Sequence, residues 1–403
     1  MVHESLSVVI AAFLISAGLI RVILVVAHKL SLYEKTDHRR THSGNVPFLG
    51  GVAIFLGFCV AAAAAYTLLP QLHPARAFPV RYPAALLLAG FTIHITGVVD
   101  DLYGIPALGK LALQLLAAGI AVSGGVLIDQ VSAGGIDEAI PLGALSIPLT
   151  VLWIVGVSNA VNLLDGMDGL AGGVSLIVAV TLGIWAVLAG NPLVLMLCSA
   201  LTGALVGFLL FNRPPARVFM GDGGSLFLGF SLAVLPLLQG GGAPQPFVVP
   251  ALMLLLIVPA ADTLAAIIRR TARGIPFYEP DREHIHHKLQ DLGVPTRQAL
   301  LVLYAVCLLG AVSATVWLFA GGSLRFTLAP AVGVLTSLAV RRLYSIVPPA
   351  APAETLSRLM LPVHRLGKAN GTQRRHNSGI SLHDRRPNHA SQFPPVSQPE
   401  ERE

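Results

Sequence analysis

Charge is scarce in this sequence. Only 12 % of its 403 residues are charged and 54 % are hydrophobic, a balance that excludes an ordinary soluble domain of this length. Cysteine is nearly absent. Cys59, Cys198 and Cys307 each lie inside an apolar block with no CxxC pair, which excludes a disulfide framework and leaves three small apolar residues. No soluble domain and no strong internal repeat stands out. The net charge of +6 does not indicate nucleic acid, because the basic residues sit in the connections between apolar blocks and in the C-terminal tail, where they set membrane topology.

The apolar residues come in blocks of roughly 17–25, the length of a helix crossing a bilayer. They are apolar all round, without the alternation of a transmembrane β-barrel. The expected fold is therefore an all-α integral membrane protein with about eleven transmembrane helices, near 5–28, 48–69, 82–99, 110–128, 145–161, 171–189, 193–211, 224–240, 247–268, 298–319 and 325–343. The first block lacks a small-x-small cleavage site and reads as a retained helix. Loops after the odd spans hold thirteen basic residues, Lys29, Lys35, Arg39, Arg40, Lys110, Arg213, Arg217, Arg269, Arg270, Arg273, Arg282, Lys288 and Arg297. The other side holds Arg76, Arg81 and Arg325. The positive-inside bias puts the odd loops and the C-terminus in the cytoplasm and the N-terminus outside. Residues 1–343 form the expected membrane domain. Residues 344–403, rich in Pro, Arg, Ser and His, read as a disordered basic tail.

Acidic residues are rarer still, so their places are informative. Asp100 and Asp101 close the third span (GVVDDLYG), Asp165 and Asp168 follow the fifth (SNAVNLLDGMDGLAGG), and Asp222 opens the eighth (VFMGDGGSLFLG). All fall at expected cytoplasmic helix ends. Adjacent carboxylates at a membrane boundary repel and lose hydration, and a cation between them relieves both costs. Mg²⁺ suits such a site because it takes few carboxylates and shares its shell with substrate phosphates. Read alone, Asp100-Asp101 equally fits a solvated helix terminus. The segment from Asn159 to Gly173 says more. Helical spacing puts Asn162, Asp165 and, in part, Asp168 along one face, and Gly166, Gly169, Gly172 and Gly173 allow a sharp turn or a close ligand. At Met220–Ser225, the free N–H groups of a starting helix form a natural phosphate cradle. Asp222 either caps that helix or holds a cation.

His284, His286 and His287 (EHIHHKL) share a loop with Arg282 and Lys288. With no cysteine nearby, their spacing matches no common structural zinc site, and diphosphate binding is the more economical reading. The first cytoplasmic loop supplies Arg40 and His42, although a basic loop is usually a topology anchor. Asp262, inside the ninth span, is a costly intramembrane carboxylate that Arg269 or Arg270 could pair.

These motifs, from Glu34 to Gly293, resemble the polyprenyl-phosphate N-acetylhexosamine-1-phosphate transferases, the superfamily of WecA-type enzymes and MraY. NAVNLLDGMDGLAGG and VFMGDGGSLFLG together carry the resemblance. The resemblance implies transfer of a sugar-1-phosphate from a UDP-sugar to a polyprenyl phosphate such as undecaprenyl phosphate, with release of UMP and with Mg²⁺ or Mn²⁺. It implies a bacterial cytoplasmic (inner) membrane enzyme with its site on the cytoplasmic face, and it leaves room for a homo-oligomer. By motif, Asp100 and Asp101 correspond to the acidic pair near the lipid phosphate, and Asp222, with Asp165, to metal binding. Asn159, Asn162, Asp165, Asp168, Asn212 and Phe219, with Arg40 and His42, correspond to the nucleotide side. His284, His286 and His287 correspond to the diphosphate or sugar contact. PDREHIHHKL looks like the WecA type, and NVPFLGG stands where MraY carries a TPTMGG-like stretch, so N-acetylglucosamine or a related N-acetylhexosamine is favoured over the MurNAc-pentapeptide donor. Such a product would begin an O-antigen, a teichoic-acid-like polymer or another surface glycan.

A transporter would place its ionisable residues near the bilayer midplane. Here they gather at one face, with only Arg21 and Asp262 placed inside spans. A non-catalytic scaffold would not need four polar motifs on one side.

Overall fold

The computed structural model describes residues 2–30, 46–68, 81–132, 139–238, 247–276 and 283–319, with scattered helical positions between 327 and 338. Arg40, His42, Asp281, Arg282, most of the expected eleventh span and the whole tail from 344 lie outside them.

The helices follow the apolar blocks. They are α1 (Val2–Leu30), α2 (Gly50–Leu68), α3 (Arg81–Tyr103), α4 (Ala107–Ser123), α5 (Ser146–Leu164), α6 (Leu170–Leu188), α7 (Pro192–Asn212), α8 (Gly221–Val234), α9 (Val249–Leu255), α10 (Ile257–Ala272), α11 (Ile285–Asp291) and α12 (Thr296–Phe319). Among the described residues, eight helices are long and apolar enough to cross a membrane, α8 being extended by a 3₁₀ turn to Leu238. Helix α4, with 17 residues, is a shorter apolar helix at the place of the expected fourth span.

The expected continuous ninth span is corrected. It is two helices, α9 and α10, bent by 91° at Leu256. Pro259 supplies the reason: it has no N–H to give the carbonyl of Leu255, and its ring crowds that same carbonyl. Beyond the break, α10 is amphipathic. Val258, Asp262, Ala266 and Arg270 are buried, while Leu264, Ile267 and Ile268 are exposed.

Strands β1 (Gln130–Ser132), β2 (Ile140–Pro141) and β3 (Phe247–Val248) form a small sheet in the order β2-β1-β3, with β1 antiparallel to β2 and parallel to β3. Helix α4 runs about 25 Å at 1.5 Å per residue from Ala107 to Ser123, just before this sheet. Sheet and polar motifs therefore lie at opposite ends of the bundle.

Helix α8 is the axis. It is almost wholly buried and packs against α2, α3 and α5. Without a hydrophobic drive between helices in lipid, close backbone approach becomes the means of association. Gly97 of α3 provides it, since a Cβ there would collide with the Asp222 backbone. That contact brings the C-terminal end of α3, with its two aspartates, onto the first turn of α8.

Candidate active site

Four elements meet at this end. Asp100 and Asp101 come from the last turn of α3, Lys110 from the first turn of α4, Asn162 from the last turn of α5, and Asp222 from the first turn of α8. Lys110 Nζ lies 2.7 Å from Asp100 Oδ2 and also pairs with Asp222 Oδ2. Asn162 Nδ2 donates to Asp222 Oδ1 at 2.9 Å and to Ser225 Oγ at 2.8 Å. Asp222 is thus held from two sides, by an ammonium and by a carboxamide. Asp100 also accepts the backbone N–H of Ile105 through Oδ1 at 2.6 Å, which folds the α3–α4 connection back on its own acid.

Asp101 is oriented differently. Its Oδ1 accepts from the backbone N of Asp222 at 2.8 Å and its Oδ2 from that of Gly223 at 3.1 Å. The N–H groups read from sequence as a phosphate cradle therefore face a carboxylate supplied by α3. That correction has a simple cause. An anion stabilises a helix N-terminus, and Asp101 is delivered there by the Gly97 contact. Below it, buried His94 donates from Nδ1 to Gly223 O at 2.9 Å and stacks on Phe55.

Asn159 exchanges amide hydrogen bonds with Gln114 of α4, Nδ2 to Oε1 at 2.7 Å and Nε2 to Oδ1 at 3.2 Å. Helix α5 ends at Leu164, so Asp165 and Asp168 do not prolong the Asn162 face as expected. Asp165 is the half-buried C-cap. Asp168 lies in the following turn and accepts the Ala216 N–H at 2.9 Å. Asn212 accepts the Gly169 N–H at 2.9 Å and donates to Val218 O at 2.8 Å. Phe219 contributes its backbone, donating to Pro47 O at 2.7 Å and accepting from Gly50 N at 2.9 Å. These side chains and backbone groups tie the α5–α6 turn to the α7–α8 connection. Tyr304 of α12 clamps the same turn through Gly169 O at 2.5 Å.

Helix α11 carries His286 and His287, and His284 is its N-cap. His286 is buried and stacks parallel to His284 with ring centroids 5.9 Å apart. It abuts Gly166, where a Cβ would strike its ring. Neither His286 nitrogen has a hydrogen-bond partner among the described residues. Burial, and then the neighbouring His287, push its pKa down from 6.5 to about 3. The unfolded chain therefore binds a proton below pH 6.5 that the folded chain refuses, so stability falls as pH drops toward 3. At pH 5.5 the penalty is about 1.4 kcal/mol. The wild-type melting temperature is expected to fall between pH 7.5 and 5.5 by more than that of His286→Gln, as read by thermal shift in detergent.

Sequence reading missed Lys110, Gln114 and Ser225. Lys110 stood only as a topology charge, although a lone cation at the head of an apolar helix with Gln114 one turn later marks a polar stripe on α4. Between α5 and the bent α9–α10 pair lies a groove of about 440 Å³, apolar in its lining, running past Leu152, Gly156 and Ala160 of α5 and Met253, Pro259 and Leu264 opposite. Ala160 lines it on the face of α5 opposite Asn162.

Residues 83–239, which span α3 to α8, match the model of glycosyl transferase family 4. The chain is 36 % identical over 332 residues to the probable undecaprenyl-phosphate N-acetylglucosaminyl 1-phosphate transferase of Bacillus subtilis, covering 79 % of this chain and 89 % of that one. It is 34 % identical to the decaprenyl-phosphate N-acetylglucosaminephosphotransferase of Mycobacterium tuberculosis, over 70 % of this chain and 74 % of the relative. The chain belongs to the WecA-type polyprenyl-phosphate transferases of family 4. A Yersinia pestis protein named undecaprenyl-phosphate alpha-N-acetylglucosaminyl 1-phosphate transferase is 30 % identical over 72 % of this chain and 78 % of its own. In this transferase the matched segment contains the whole Asp100–Lys110–Asn162–Asp222 cluster.

Proposed function

We propose that this chain transfers N-acetylglucosamine-1-phosphate from a UDP-sugar to a polyprenyl phosphate such as undecaprenyl phosphate, releasing UMP, at the cytoplasmic face of the bacterial inner membrane. The observation that carries the reading is the junction of three aspartates, Lys110 and Asn162 where α3, α4, α5 and α8 meet. The polar cluster suits the phosphate of a polyprenyl acceptor. The chain crosses eleven times with its N-terminus outside, since the basic residues Lys110, Arg213, Arg217, Arg269, Arg270 and Arg273 belong to the polar end.

The chemistry asks little of a general base. A phosphate monoester has its second pKa near 6, so the lipid phosphate reaches the site largely as a dianion. One of its oxygens bonds to the β-phosphorus, the bond from that phosphorus to the bridging oxygen breaks, and UMP leaves with the electron pair. The obstacle is bringing anions together, which fixed cationic and dipolar groups overcome. Lys110 neutralises part of that charge, while Asp101 keeps the first turn of α8 in place. Among the described residues no group of three His, Cys, Asp or Glu side chains forms a complete metal shell. One or two carboxylates completed by substrate phosphates and water is the coordination Mg²⁺ prefers, and Asp222, sharing Lys110 with Asp100, fits it. Asp222 would hold Mg²⁺ or Mn²⁺, with Asp165, the C-cap of α5, as the other candidate donor. When bound, the ion supplies Lewis-acid neutralisation of the transferred phosphoryl group. His284, His286 and His287 would serve the diphosphate or sugar, as their motif implies.

The test uses detergent-purified protein, undecaprenyl phosphate, Mg²⁺ and a panel of UDP-sugars, scoring UMP release with and without EDTA. Release with UDP-N-acetylglucosamine, lost on chelation and restored by Mg²⁺, is expected. Release only with another donor would overturn the sugar assignment, and no release from folded protein would overturn the reaction.

A further inference from the structure

Asp262 was expected to be an intramembrane carboxylate paired by Arg269 or Arg270. It is 2 % exposed, and each of its oxygens meets the histidine segment. Oδ2 accepts from His284 Nδ1 at 2.9 Å, and Oδ1 accepts from the backbone N of Ile285 at 2.9 Å. The 91° break after α9 turns the Asp262 face of α10 toward the histidine segment. Two further residues of that face hold the same segment: Arg273 Nη1 donates to Glu283 Oε1 at 2.5 Å, and Arg269 Nε lies 3.5 Å from Glu283 Oε2. Positions 262, 269 and 273 recur at helical spacing, so one face of α10 cradles residues 283–285.

We propose that Asp262 is a positioning residue for the transfer reaction, acting through His284. A carboxylate against Nδ1 makes Nδ1 the protonated nitrogen, fixing the tautomer and orientation of the ring. The Ile285 N–H, otherwise an orphan at the start of α11, is satisfied by the other oxygen. His284 then stacks on His286, and His286 rests on Gly166. Asp262 thereby sets the distance between the histidines and the Asp165–Asp168 turn. The inference rests on the transferase reading, and its test separates the two.

Asp262→Asn keeps an oxygen for Ile285 but opposes an N–H₂ to His284 Nδ1, so the ring must adopt the other tautomer. Asp262→Ala removes both contacts. Expected for Asp262→Asn is a fall in kcat on the order of 10–100-fold, the usual effect of losing a group that orients a working histidine, with KM little changed and a near-wild-type melting temperature. His284→Ala combined with Asp262→Asn should lose no more than His284→Ala alone. Independently of turnover, ¹⁵N-histidine NMR of the wild type should show a hydrogen-bonded Nδ1–H for His284, assigned by its absence in His284→Gln and missing in Asp262→Asn. Wild-type kcat in Asp262→Asn overturns the proposal, as does full additivity in the double variant or an unchanged His284 resonance. A wild-type protein that shows the resonance yet releases no UMP from any donor overturns the reaction while retaining the pairing.

Discussion

Asp222→Asn is expected to lower turnover on the order of a thousandfold, the scale of removing one preorganised charge that stabilises a phosphoryl transition state, while the protein stays folded. Folding should survive because the first turn of α8 is held by Asp101 through backbone N–H groups and not by the Asp222 side chain. The substitution keeps an oxygen toward Asn162 and removes the charge that faces Lys110. Asp101→Asn alters the other half of the arrangement. It keeps an acceptor for one of the two N–H groups, so the smaller loss, about tenfold, should come from a less well held helix start. Initial rates of UMP release, with Mn²⁺ binding followed by electron paramagnetic resonance, separate the two. Weakened Mn²⁺ binding is expected in Asp222→Asn and not in Asp101→Asn. Equal weakening in both would remove the division between a metal-holding and a helix-holding aspartate.

Much of this site was legible because acids are rare and each stood at a block boundary. Asp100, Asp101, Asn162 and Asp222 converge as the one-sided pattern implied. What could not be read is direction within the cluster. Sequence places Asp101 beside Asp100, but only the α3–α8 contact at Gly97 turns one toward Lys110 and the other into a helix terminus. The bend at Leu256 was hidden because its residues are as apolar as a straight span, and Pro259 was its single mark. That bend in turn determines the partner of Asp262, since a helix continued straight would have offered it only Arg269 or Arg270. Asn212 and Asp168 were assigned to the nucleotide side by their match to the family motif, yet their visible bonds go to backbone groups of the turn and the α7–α8 connection. Polar side chains in a buried turn serve the backbone first, because unpaired N–H and C=O groups there are costly.

Lys110→Met is expected to be the second severe variant, and its phenotype should depend on Mg²⁺. The ammonium is 16 % exposed and lies between Asp100, 17 % exposed, and Asp222, 32 % exposed. Removing one member of a partly buried charge group leaves the others without a counter-ion, at a cost on the order of 3 kcal/mol. With Asp101 close by, three carboxylates would then share one site that, among the described residues, only the Asn162 carboxamide and backbone N–H groups face. In the metal-free state the melting temperature should therefore fall clearly below that of wild type. Millimolar Mg²⁺ should restore more of it in Lys110→Met than it adds to wild type, because a divalent ion can neutralise what the ammonium no longer does. Turnover should not recover with it, since Lys110 is also needed to balance the incoming lipid phosphate, and a loss on the order of a hundredfold is expected to persist at saturating Mg²⁺. Lys110→Arg should rescue little, because a planar guanidinium cannot occupy the compact position between two carboxylates that an ammonium fills. Thermal shift across a Mg²⁺ series, paired with UMP release, checks both halves. A Lys110→Met protein with wild-type melting behaviour at every Mg²⁺ concentration would mean that Lys110 does not hold the carboxylates together, and wild-type turnover would remove it from the reaction.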